Sequence, residues 1–365
     1  MKRIRITILL AATLAVALPA FAEEPDSLTE RAYFYHGLDY GSEANIHPLQ
    51  LILNGGFGIM QISNRSNRLA DVDFDGGWDL LWNNMFDPIG AIESEGWGNF
   101  VRKEILPFAT GLESARYWPN YTQHLIGGGM SYRMMIEWYR HHEVRHPKLW
   151  SAGTITVYHL LNEVVENSYL EGYSTDPVAD LYLFDPLSCL LFSSDGVSRF
   201  FGETLNLRDW SYQFAYDPWN GSIENMGQNF SMKWKPPFWE RTSFFYYFGT
   251  HGEGGISREM DGGYSWSLAA GFKANELFND DDGALGANLE GAAAFFIDRR
   301  GSLLASLMFA STKDYAMRLN VYPGLLKLGG WSPGLFVAIN RDENWVAGLH
   351  LRWPSWQPVA LARGF

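Results

Sequence analysis

The chain has 365 residues, 16 % of them aromatic and 19 % charged, with a formal net charge of −13 and one cysteine. That acidity excludes the basic footprint a nucleic-acid partner needs, and a lone cysteine excludes an intrachain disulfide. The length suits one large domain or a barrel carrying an insertion.

The first stretch joins Lys2, Arg3 and Arg5 to an apolar run from Ile6 to Ala17 and a Leu18-Pro-Ala-Phe-Ala22 end. This is the pattern of a secretory signal peptide, expected over residues 1–22. No cysteine follows Ala22, so a lipid anchor is not expected there, and losing three basic residues takes the net charge from −13 to −16. Residues 23–77 are expected to start polar and then form N-terminal strands, around Ala32–Tyr40 and Leu49–Ile62. Asn54-Gly-Gly56 and Gly58 would bend or bulge the second of them. Asp71-Val-Asp-Phe-Asp-Gly76 opens like a calcium loop of the EF-hand kind, but Trp82 stands where the bidentate Glu belongs. Solvated aspartates at a strand end are the simpler reading.

Over 78–201 the apolar period changes from two to three and four, which predicts a helical insertion with helices near Phe100–Phe108, Tyr121–His142 and Leu149–Glu171. Asp176-Pro177 and Asp185-Pro186 each place a carboxylate before a proline, so each is expected to cap a short helix. This region also gathers His141, His142, His146, His159, Glu163, Glu166, Asn167, Asp176, Asp180 and Asp185. The pairs His142/His146 and His159/Glu163 are four apart and would share a helix face. Such faces can hold a divalent metal or pair a base with an orienting carboxylate. They can equally form a structural hydrogen-bond network against polar neighbours. Neither pair has the HExxH form, so no metal is assigned and no cofactor is expected. Cys189, in the apolar run Leu187-Ser-Cys-Leu-Leu-Phe192, reads as a buried small hydrophobe rather than a nucleophile.

His146-Pro147, Asn162-Glu-Val-Val-Glu166, Ser174-Thr-Asp-Pro-Val-Ala-Asp180 and Asp185-Pro186 together resemble the core of an uncharacterised family of exported bacterial proteins, over about forty residues. The resemblance implies a helical segment set into an outer-membrane barrel. It makes Glu163, Glu166, Asp176 and Asp180, beside His159, the candidates for a shared site. No reaction comes with it.

Residues 202–353 alternate with period two. Trp210, Tyr212, Phe214 and Tyr216 form one series; Phe230, Met232 and Trp234 another; Tyr264 to Phe272, Tyr315 to Val321 and Trp345 to Trp353 the rest. The intervening residues are mostly Ser, Gly, Ala, Asn and Gln. Small polar side chains suit the inside of a closed barrel, and rings at strand ends suit membrane interfaces. Turns are legible at Asp217–Ser222, Lys235–Pro237, Asp280–Gly283, Asp298–Gly301 and Asn340–Asn344. Pro354 and Pro358 imply that Trp353 ends the last membrane strand and that 354–365 is a tail. Outer-membrane acyl hydrolases place a His and a Ser on barrel strands, and His251 with Ser257 is a weaker match, its glycines reading as a flexible loop.

The expected fold is therefore a mainly β, transmembrane outer-membrane-type antiparallel barrel of about 10–12 strands with an inserted helical region. Outer-membrane lipids and the barrel-assembly machinery are the expected partners, with a structural, binding or narrow-pore role. The alternatives are an envelope lipid or glycan hydrolase using the His/Glu/Asp cluster, and a soluble periplasmic binder of an apolar ligand.

Overall fold

The computed structural model describes residues 31–106, 118–169, 174–279, 285–329, 331–353 and 356–364. The expected signal segment 1–22 and the Asp280–Gly283 turn lie outside them.

The first half of the described chain is helical from Pro48 onward. Helix α1 (Pro48–Gly56) starts on a proline, with the His47 ring accepting the Leu49 N–H. Helices α2 (Phe74–Phe86) and α3 (Pro88–Glu95) are capped by Asp73 and Asp87, each accepting an N–H three residues on. A π-helical stretch, Trp118–Gly128, runs into α4 (Gly129–His141), and α5 (Pro147–Asn167) packs across α1, α2 and α4. Helix α6 (Asp185–Phe192) continues from Asp176–Ala179 and a π-helical turn, Asp180–Phe184.

Of the N-terminal strands expected within 23–77, Leu49–Ile62 is thus corrected to helix, and Ala32–Tyr40 is irregular, with neither helix nor strand. Gly55 and Gly56 are not a strand bend. A Cβ on Gly55 would lie 2.2 Å from Tyr158 Cε2, so the glycines let α1 approach α5. Asp73 caps α2 and Asp71 accepts a hydrogen bond from Ser66, which accounts for the acidic run that opened like a calcium loop.

Among the described residues the second half is one sheet of 13 strands. They are β1 (Arg208–Asp209), β2 (Ala215–Asp217), β3 (Ser222–Glu224), β4 (Phe230–Trp234), β5 (Thr242–Phe248), β6 (His251–Glu259) and β7 (Tyr264–Asn279), then β8 (Leu285–Arg299), β9 (Ser302–Phe309), β10 (Tyr315–Val321), β11 (Gly334–Asn340), β12 (Trp345–Trp353) and β13 (Trp356–Gly364). From β4 to β13 each strand pairs antiparallel with the next. The tight β8–β9 turn has Arg300 at φ 52° and Gly301 at φ 83°, the left-handed pair that a two-residue hairpin requires. At the far side β13 meets β2 through one parallel pair, Leu361 with Tyr216. The sheet's strand order is open rather than a closed ring, and its count exceeds the expected ten to twelve. The tail is also corrected: Trp356–Gly364 is a strand on β12, and Pro358 falls at the register shift beyond the Leu351–Val359 pair, an irregularity of the kind that accommodates proline in a strand.

The two faces of the sheet differ as period two requires. On β7, Tyr264, Leu268 and Phe272 are exposed while Ser265, Ser267 and Lys273 are buried. On β12, Trp345 and Leu349 are exposed and His350 is buried. Trp210 and Tyr212 depart from the expected series: they lie on the buried face, where Trp210 stacks with Phe245 and Phe296 and the Arg318 guanidinium lies 4.6 Å from the Tyr212 ring centre. They turn inward because a bare Ser and Gly lining would leave the middle of so wide a sheet unfilled, and large rings occupy that volume at native density. His251 and Glu253 stand on β6 rather than on a loop, with Glu253 accepting at 2.9 Å from His251.

The helices join the sheet at the end that carries the β5–β6 turn. Phe230 and Phe248 stack on the outer face and are covered by the α4 core, which holds Met130 and Met134. Asn54 on α1 donates to the Tyr212 carbonyl at 2.7 Å, and Gln228 donates to Ser131 at 2.7 Å. On α4, Glu137 accepts the backbone N–H groups of Tyr33, Phe34 and Tyr35 at 2.8–3.0 Å and pairs with Arg133. One buried carboxylate so anchors the start of the described chain.

Candidate functional site

Three helical segments bring their polar residues to one point. His159 and Glu163 project from one face of α5, as their spacing predicts. Asp180 begins the Asp180–Phe184 π-helical turn and Asp185 follows it. His124 comes from the Trp118–Gly128 π-helical stretch. Inserted π turns re-aim side chains within a helix and are common at functional sites. Here both His124 and Asp180 lie on one.

The geometry is close. His124 Nδ1 is hydrogen-bonded to Asp185 Oδ1 at 3.1 Å, and its Nε2 is 3.2 Å from Asp180 Oδ2. His159 Nδ1 is 3.1 Å from the other Asp185 oxygen, and the two imidazole rings are 5.1 Å apart. Asn167 donates to Glu163 Oε2 at 3.2 Å. All five side chains are buried, with Asp185 at 8 % the most exposed. Two groupings bring one ligand-type atom from each residue within 4.8 Å of the others: His124, His159 and Asp185, and His124, Glu163 and Asp180.

Electrostatics follow from that crowding. Burial opposes a charge on His124, but Asp180, Asp185 and Asp176 outweigh it and push the ring up to about 10. Burial holds His159 down to about 4, Asp185 pulling the other way and the His124 charge adding to the effect. Burial and then the charges of Asp180, Asp176, Glu166 and Asp185 push the Glu163 carboxyl well above its usual range. Burial does the same to Asp180, against the pull of His124.

These directions set a pH dependence for the metal-stripped chain. His124 stays protonated to about pH 10 when folded but only to about 6.5 unfolded, so its stabilisation is complete below 6.5 and is lost as pH rises through 10. Glu163 and Asp180, raised in the folded state, also lose stability as pH rises. His159, depressed, acts only between about 4 and 6.5 and in the opposite sense. In a chelating buffer the thermal midpoint should therefore fall steadily from pH 6.5 to pH 10, with a shallower fall in Glu163→Gln. A midpoint flat across that range would show that the cluster does not titrate as described.

Of the expected site residues, His159, Glu163 and Asp180 converge. Asp176 lies near enough to raise His124, Glu163 and Asp180, and Glu166 sits one turn beyond Glu163, hydrogen-bonded to Asn162 at 3.3 Å. Asp185 does not cap a helix: it has helical backbone angles within a continuing helix, and Thr175 rather than Asp176 stands at the start of Asp176–Ala179. The Asp185 carboxylate meets both histidines instead. His141, His142 and His146 stay apart from the cluster. His142 stacks on Trp138, and His146 takes the left-handed conformation (φ 59°) before α5, so His142 and His146 share no helix face. His251 and Ser257 are six residues apart on one strand, roughly 20 Å at strand rise; they cannot act as a pair. Cys189 packs against the α4 core, and burial followed by the Asp185 charge pushes its thiol up to about 12.

His124 is the residue that local reading misses. Its partner Asp185 is 61 residues away, and a single histidine in a helical stretch carries no spacing signal. The cluster borders a cavity of about 110 Å³ between the helices and the β5–β6 turn, with His124, Tyr158, Glu166, Gln61 and Thr250 in its wall. The arrangement supplies a charged imidazole, a neutral imidazole and proton-sharing carboxylates beside a cavity that admits a small ligand. It can transfer protons or hold a cation. No family model, curated protein or solved structure matches this chain.

Proposed function

We propose that the chain is an outer-membrane-type β-barrel protein of the bacterial envelope, with a structural, binding or narrow-pore role, whose helices cover one end. One observation carries the reading. The face of the sheet that would meet solvent is apolar, and the face turned inward sets polar and charged residues around an aromatic cluster of Trp210, Tyr212, Phe245 and Phe296. Ile256, Leu268, Phe272, Phe295, Phe309 and Leu349 are each 36–53 % exposed, against buried Ser257, Ser267, Glu253, Lys273, Arg318 and Asn320. In water this distribution is inverted, since contiguous apolar patches of that extent are rare on soluble monomers. In hydrocarbon it is the expected order.

Closure is supported by chain continuity. The two ends of the strand order, β1 and β2, belong to one stretch interrupted by Trp210–Phe214, along which Trp210 N donates to Asn229 O at 2.8 Å and Tyr212 N to Gly227 O at 3.0 Å. A wall closed in this way would leave no exposed edge for lipid to meet. Outer-membrane lipids and the assembly machinery would be its partners. At the end that carries the β6–β7 and β8–β9 turns, a cavity of about 630 Å³ is lined by Trp210, by Lys233 paired with Asp298, and by Glu203 of the helical half. It offers a place for a small polar ligand.

Expression with the natural N-terminus, fractionation and unheated gel electrophoresis test this. The chain is expected in the outer-membrane fraction, to need detergent for extraction, and to migrate faster unheated than heated. Extraction in buffer without detergent would exclude it and favour the soluble binder. A second reading, an envelope enzyme acting on lipid or glycan, is favoured by the convergence of His159, Glu163 and Asp180 beside a cavity. Glu163→Gln should then abolish hydrolysis while leaving the fold intact.

A further inference from the structure

We infer that His124 Nε2, Asp180 and Glu163 form a binding site for one divalent first-row transition-metal ion, with Asp185 holding the other nitrogen of His124. The inference does not depend on where the sheet resides.

Geometry is the first support. Ligand atoms about 2.0–2.2 Å from a tetrahedral ion stand roughly 3.3 Å from one another. His124 Nε2 and Asp180 Oδ2 are 3.2 Å apart, and the Glu163 atom lies within 4.8 Å of both. The Nε2–Asp180 approach is an ion pair when His124 carries its proton, and loss of that proton leaves the same two atoms at the spacing a shared ion needs.

An unsatisfied acceptor is the second. Asp180 is 2 % exposed, and its Oδ1 has no hydrogen-bond partner among the described residues. A buried carboxylate oxygen left in that state costs folding energy unless something positive meets it.

Charge is the third. Glu163, Asp180 and Asp185 are buried together, and the ion pairs of Asp180 and Asp185 among the described residues run to His124 and His159. Three carboxylates thus share this interior with two imidazoles. A dication bound by Glu163 and Asp180 with neutral His124 would bring the first two to zero net charge. The donor set, one imidazole and two carboxylates, suits zinc, iron(II), cobalt or manganese better than a hard alkaline-earth ion. Asp185 on Nδ1 is the carboxylate that metal-binding histidines commonly carry behind them. His124 also stands in the wall of the cavity of about 110 Å³, which gives the ion a path and a free coordination position.

The full chain, purified in detergent, stripped with EDTA and titrated with cobalt(II), provides the test. One equivalent should bind, with visible d–d bands that zinc(II) then abolishes, and the thermal midpoint should rise. Asp180→Asn and His124→Ala should lose the bands, and Asp185→Asn should weaken binding by about 10–100-fold at unchanged stoichiometry. His141→Ala, outside the cluster, should bind as the parent does. Circular dichroism reports whether each variant is folded. If Asp180→Asn is not, the parent decides alone: cobalt must shift the imidazole protons of one histidine in a paramagnetic NMR spectrum. A folded parent that takes up no cobalt overturns the inference. So does binding that survives in folded Asp180→Asn but disappears in His141→Ala.

Discussion

Replacing Glu137 by Ala should destabilise the helical half by about 3–5 kcal/mol, the range for breaking a buried pair by removing one partner. Glu137 is 5 % exposed and accepts three consecutive backbone N–H groups, from Tyr33, Phe34 and Tyr35, as well as the Arg133 guanidinium. Its loss strands those three donors and leaves Arg133 with Asp195, at 2.8 Å on the surface side, and the face of the Tyr33 ring. Glu137→Gln, which retains one acceptor oxygen, should lose less. Urea unfolding followed by far-ultraviolet circular dichroism measures both. A loss under about 1 kcal/mol for the Ala variant would show that water replaces the carboxylate and that the segment is not anchored there.

Leu268→Arg separates lipid from water as the medium around the sheet. Leu268 is 53 % exposed, between Ile256 and Phe295 on its two neighbouring strands. On a soluble surface such a change usually stays within about 0.5 kcal/mol of neutral. At the middle of a bilayer it costs about 2–4 kcal/mol, falling to about 0–1 near the interfaces. Refolding into lipid vesicles should therefore show a large loss for Leu268→Arg and a small one for Tyr264→Arg, at the turn end of the same strand. Equal small losses at both positions would argue that this face meets water.

Legibility followed the distance over which each feature is decided. The alternation of Tyr264 to Phe272 is local, and the structure keeps those residues on one face. The turn at Asp298–Gly301 was equally plain, because a left-handed pair needs a residue such as glycine. Leu49–Ile62, expected as a strand, is helical instead. A proline before Leu49-Gln-Leu-Ile-Leu opens a helix as readily as it precedes a strand, and only the fit of Gly55 under Tyr158 decides between them. Asp185 misled likewise: an aspartate before a proline resembles a cap until the turn ahead of it lets the helix run on. The site was half legible. His159 and Glu163 share a face by spacing alone, whereas His124 joins them only through folding.

The sequence by itself determined that two unlike faces run the length of the second half, because side chains alternate across any strand whatever it packs against. It determined too that His159 and Glu163 lie together, since a helix repeats every 3.6 residues. Tertiary structure alone decided that Trp210 and Tyr212 turn inward, that the chain's last strand lies beside β2, and that His124 meets Asp180 and Asp185. Those outcomes depend on volume and charge contributed by segments far apart in the chain, and no local period encodes them.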